Sequence, residues 1–119
     1  IRVFVQELHR RMVTNNVGFR RRNMPSLLIR FFLDMQSVLA NARTSLKPGA
    51  EAFVVMGDNA TSAGPDVIAI PTTHLVSDVA VGVGMELVES IPITVTTENM
   101  VHVKNAIRKN VVLRFRRPA

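Results

Sequence analysis

A break near the middle of the chain constrains its fold more than any other feature. Leu28, Phe31, Phe32, Met35, Leu39 and Ala42 recur at helical spacing, and Lys47-Pro48-Gly49 then ends the pattern. Proline cannot continue a helix, and glycine supplies the turn that follows one. Directly afterwards Ala52-Phe53-Val54-Val55-Met56 is a continuous apolar run, too short for a helix and bounded by Gly57-Asp58-Asn59. A helix, a tight turn and a short apolar strand point to an α/β fold in which the strand is covered on both faces. Ligands in open α/β sheets collect at the carboxyl ends of strands, so Gly57, Asp58 and Asn59 are substrate-binding candidates. A plain turn, with Asp58 capping local backbone amides, is the simpler reading of the same residues.

The flanking segments extend the pattern. Ile1, Val5, Leu8 and Met12 predict an amphipathic helix ending near Thr14. The central helix is expected to start at Ser26, a good N-cap after Pro25. Residues 57–69 read as a polar loop. Pro71-Thr72-Thr73 opens a third helix, with Leu75, Val76, Val79 and Ala80 inward and an end at Gly82-Val83-Gly84. Residues 85–97 predict a strand in which Pro92 removes one backbone donor, placing it at a sheet edge or a bulge. Val111, Leu113 and Phe115 alternate with Val112, Arg114 and Arg116, the signature of a half-buried closing strand. At 119 residues the chain is at most one small domain. With so few strands, one edge of the Phe53 strand is left unpaired and apolar, which soluble proteins avoid. More sheet upstream, in a longer protein cut at Ile1, or a second copy pairing through the exposed edge, would cover it.

Charge is placed unevenly. Residues 1–50 carry nine Arg and Lys against Glu7 and Asp34, residues 51–99 carry seven acids and no Arg or Lys, and residues 100–119 carry six Arg and Lys and no acid. Two basic ends around an acidic middle suit a phosphate-binding face if the ends meet in the fold. Arg20, Arg21 and Arg22 in the loop after the first helix are the foremost nucleic-acid-binding candidates, and Arg114 and Arg116 could extend that footprint. A solvated charge run is the plainer alternative for all five. The absence of cysteine fits the cytoplasm and rules out disulfides and thiolate metal sites. No apolar run approaches the length of a membrane span. His9, His74 and His102 lack companions at metal-ligand spacing, so no metal site and no catalytic triad is expected. Phe4, Phe31, Phe32 and Met35 read as core rather than as a stacking platform.

The combination Phe32-Leu33-Asp34-Met35, Leu39, Arg43, Leu46-Lys47-Pro48-Gly49, Val54 to Asn59, Ile70-Pro71-Thr72 and Leu75 resembles S-adenosylmethionine-dependent DNA methyltransferases that act on exocyclic amino groups. The closing run from Ile107 to Arg117 is similar to the last strand of that family. The resemblance implies the C-terminal half of a Rossmann-like methyltransferase fold, with about three strands and three helices. In that fold the Phe53 strand is central, the Pro92 strand is at the edge, and the last strand lies between them. It also implies methyl transfer from S-adenosylmethionine to adenine N6 or cytosine N4 in DNA, as in modification methylases. The family's Gly-rich cofactor turn and its Asp/Asn-Pro-Pro-Tyr motif are absent here, and the chain has no tyrosine. No catalytic or cofactor-binding residue can therefore be named, and the chain alone is expected to be inactive. An RNA methyltransferase of the same fold, and a non-catalytic basic module that binds nucleic acid or a partner, are the alternatives.

Overall fold

Among the described residues, the helical periodicities and the apolar runs become three helices and five strands. The computed structural model describes residues 1–15, 18, 22–94 and 109–119. In chain order the elements are α1 (Arg2–Thr14), α2 (Met24–Ser45), β1 (Glu51–Met56), β2 (Asn59–Ala63), β3 (Asp66–Ile70), α3 (Thr72–Gly82), β4 (Glu86–Thr94) and β5 (Lys109–Arg116). Helix α2 starts at Met24 rather than Ser26. Asn23 takes the cap position and Pro25 falls in the first turn, where its missing N–H is no loss. The helix ends before Lys47-Pro48-Gly49 as expected, and Gly49 adopts φ 82°, which a residue with a Cβ resists.

β1, β5 and β4 form a three-stranded sheet in that order, with both pairings antiparallel. The last strand is thus inserted between the first and the Pro92 strand. Pro92 lies on the outer strand β4, which also carries a register shift between Leu87 and Glu89. The turn before β1 is stitched to the chain's end: Gly49 N–H donates to the Arg117 carbonyl at 2.8 Å, and Arg117 N–H to Ala50 at 2.9 Å.

One face of the sheet packs on the helices. Leu113 and Phe115 of β5 are buried with Phe32 and Leu39 of α2 and Leu75, Val76 and Ala80 of α3. Ala52, Val54 and Met56 of β1 pack against this core. The expectation that β1 is covered on both faces is corrected here. Phe53 and Val55 point the other way and are each 59% exposed, because nothing among the described residues covers that face. A second correction concerns residues 57–69, which read as a loop but form an antiparallel hairpin of β2 and β3. Its polar composition hides the alternation of Asp66, Ile68 and Ile70, whose isoleucines are buried. Ile68 packs with Leu8 and Met12 of α1 in a small second core.

Candidate substrate and nucleic-acid site

The carboxyl end of β1 leads straight into the hairpin, which returns to start α3. A helix leaves its first N–H groups without intrahelical partners, and the residue before α3, Pro71, has no side chain able to accept from them. Asp58 supplies the missing acceptor from fifteen residues away. Its Oδ1 accepts from both the Thr73 N–H and the Thr73 hydroxyl, each at 2.9 Å. The carboxylate also lies at the positive end of the helix, where a negative charge is stabilising. Beside it, the Asn59 amide approaches the Thr72 hydroxyl at 3.5 Å, and that buried hydroxyl donates to the Ile70 carbonyl at 3.3 Å. Gly57 is buried next to Asp58. Asp58 and Asn59 therefore clamp the base of the hairpin to the start of α3.

The far end of the hairpin is held by α1. Asp66 accepts from the Asn15 amide at 3.1 Å and pairs with Arg11 at 3.2 Å. The Asn15 hydrogen bond, then Arg11, hold its carboxyl below the usual range. Asn15 precedes the basic run of the sequence, and Met24, just after it, packs on the Leu8–Met12–Ile68 cluster. Both flanks of that run thus lie beside the hairpin. Of its three arginines, Arg22 is exposed just before α2, while Arg20 and Arg21 lie outside the described residues.

Arg114 and Arg116 are placed elsewhere. They stand on the open face of the sheet opposite Phe53 and Glu51, toward the start of β1 and away from Gly57 to Asn59. Arg114 grips Glu51 through two hydrogen bonds of 2.8 and 2.6 Å and reaches Glu89 at 3.4 Å. Arg116 pairs with Glu86 at 2.7 Å. The hydrogen bonds from Arg114 hold the Glu51 carboxyl low, and Glu51 in turn raises the Arg114 guanidinium. A phosphate approaching either arginine meets a carboxylate already in place. Sequence reading missed these pairs because Glu51 and Arg114 are 63 residues apart.

Among the described residues no group of three His, Asp or Glu is placed to hold a metal ion. A groove of about 520 Å³ opens between the helices, lined by Val5, Phe32, Leu33, Gln36 and Val79. It reaches Gly82 at the far end of α3 from Thr72 and Thr73, and no carboxylate lines it. Nor is any described helix long and apolar enough to cross a membrane.

No family model and no curated protein matches the chain. Solved structures do. A candidate DNA modification methylase from Thermus thermophilus, as its selenomethionine derivative, superposes with TM-score 0.65 at 16% identity, over 82% of this chain and 40% of its own. Its complex with S-adenosyl-L-methionine gives TM-score 0.64 at 17% identity, over 77% of this chain and 39% of its own. The chain has a DNA methyltransferase-like fold. It spans about two fifths of the length of these neighbours. The α/β architecture implied by the Lys47-Pro48-Gly49 turn and the strands around it is the one observed.

S-adenosylmethionine carries a ribose, an adenine and a charged amino acid, and a site for it needs polar groups at each. Among the described residues, those at the carboxyl end of β1 and in the helical groove do not fit that demand. The carboxylate of Asp58 is committed to α3, and the helical groove, mostly apolar with Arg2, Gln6 and Gln36 at its wall, lacks an acid to meet the ribose hydroxyls.

Proposed function

We propose that this chain is part of a site-specific DNA methyltransferase that transfers a methyl group from S-adenosylmethionine to an exocyclic amino group of adenine or cytosine. The observation that carries this reading is the likeness, over 77% of the chain, to a structure solved with that cofactor. The residues resembling amino-directed methyltransferases lie on the matching architecture: the turn before β1, β1 itself, and the start of α3. In this reading the chain is the C-terminal half of the catalytic domain, and the cofactor site and catalytic residues belong to the remainder.

The part played by this half is positional. The clamp of Asp58 and Asn59 on α3 fixes the end of β1, so that Gly57 to Asn59 form a rigid floor beneath an extruded base. Arg20, Arg21 and Arg22 contact backbone phosphates, setting orientation without reading sequence. The ion-paired Arg114 and Arg116 have no part in this reading. Methyl transfer then depends on how closely the two halves align donor and amino group.

Calorimetric titration of the 119-residue chain with S-adenosylmethionine should show no binding at micromolar concentrations. The parent polypeptide should label duplex DNA from radioactive S-adenosylmethionine. Labelling of structured RNA instead of DNA would move the proposal to an RNA methyltransferase, and micromolar cofactor binding by the chain alone would overturn the division of labour.

A further inference from the structure

The hairpin of β2 and β3 is a sheet of its own, with no strand of the main sheet beside it among the described residues. Side chains at its two ends therefore set where it lies. Asp58 and Asn59 hold its base on α3, and the last two turns of α1 hold its tip. Leu8, Arg11, Met12 and Asn15 recur at spacings of three and four, so they line one face of that helix. Leu8 and Met12 pack on Ile68, Arg11 lies 3.2 Å from the Asp66 carboxylate, and the Asn15 amide donates to it at 3.1 Å. Gly64 turns the hairpin at φ 64°, and a Cβ there would stand 3.1 Å from the Asn15 Cβ. The close approach of the turn to Asn15 thus needs both the positive φ and the bare Cα of glycine. Asn15 also caps α1, its N–H donating to the Arg11 carbonyl at 3.0 Å. The residue that ends α1, and from which the chain continues to the basic run, is pinned to the hairpin tip.

We propose that Asp66 is a positioning residue for DNA. By holding the end of α1 against the hairpin, it fixes where the chain leaves for Arg20, Arg21 and Arg22 relative to Gly57, Asp58 and Asn59 at the hairpin's other end. Strands of five residues keep tip and base about 16 Å apart, so the hairpin acts as a strut between phosphate contact and base site. This role rests on the methyl-transfer reading and deepens it. It also carries a sign that charge alone does not. An acid beside a basic run repels phosphates, so electrostatics by itself makes removal of Asp66 tighten DNA binding. A positioning role makes the same change weaken it.

In the parent polypeptide, Asp66→Ala should raise the KM for duplex DNA about fivefold near physiological salt, the worth of about one phosphate contact, and lower the salt slope of binding by about 0.9. The kcat at saturating DNA and the affinity for S-adenosylmethionine should stay as in the wild type, because the clamp on α3 is untouched. Gly64→Ala changes no charge and should act in the same direction by pushing the turn off Asn15. Asp66→Asn keeps an acceptor for the Asn15 amide and should recover part of the loss. The Asp66 side chain is 47% exposed and Gly64 is exposed, so circular dichroism of all three variants should match the wild type. DNA binding by Asp66→Ala that is unchanged or tighter would overturn the inference and leave the methyl-transfer reading standing. A fall in kcat with KM unchanged would do the same. A parent polypeptide that binds no duplex DNA would overturn both.

Discussion

Asp58 links two elements that sequence distance separates, and its effect should be measurable without any knowledge of substrate. Removing an acceptor that caps a helix costs about 1 kcal/mol. Asp58→Ala should lower the thermal midpoint accordingly, while Asp58→Asn, which keeps an acceptor oxygen but loses the charge, should lose less. Glu51 and Asp66 offer a second test. Both carboxyls are held below their ordinary values by hydrogen bonds and charge, so the folded state binds protons less readily than the unfolded chain. Their contribution is complete above the unfolded values, about 4.3 and 3.9, and is lost as pH falls through the lower folded values. Urea midpoints should therefore drop on acidification below about pH 4, and the double variant Glu51→Gln, Asp66→Asn should show a shallower decline. The capping role of Asp58 was legible as a local turn, but its partner was not. Nothing in Gly57-Asp58-Asn59 says which amides lie within reach.

At the level of elements, the fold has two cores of unequal weight. Phe115 is fully buried in the larger, between β1, β4 and the helices, and Phe115→Ala should cost about 3–5 kcal/mol, enough to unfold much of a small domain. Ile68 belongs to the smaller cluster with Leu8 and Met12, so Ile68→Ala should act locally. Hydrogen exchange should accelerate in β2, β3 and α1 while the amides of β5 stay protected. The helices and strands β1, β4 and β5 were readable because their apolar periods are long or their stops are proline and glycine. The hairpin was not, since Thr61 to Pro65 looks like a loop and only packing on α1 gives Ile68 an inside.

Across the whole molecule, the uneven charge resolves into pairs between the segments that carry it. Arg11 meets Asp66, Arg114 meets Glu51 and Glu89, and Arg116 meets Glu86, so basic ends and acidic middle partly neutralise each other. A phosphate footprint should therefore be narrower than the net charge suggests. Replacing Arg20, Arg21 and Arg22 together with alanine should lower the salt slope of DNA binding by roughly 2–3, whereas Arg116→Ala should leave it nearly unchanged. Filter binding of duplex DNA across a salt series measures both.

The amino-acid sequence by itself determined where the chain turns helical, where it extends, and that Pro92 belongs at a margin. These properties follow from backbone sterics and from apolar spacing within a few residues. The family resemblance placed the last strand between the other two, but only the tertiary structure decided that Phe53 and Val55 are left bare and that Arg114 faces Glu51 across 63 residues. Such outcomes depend on which distant strand pairs with which, and local periodicity carries no information about that choice.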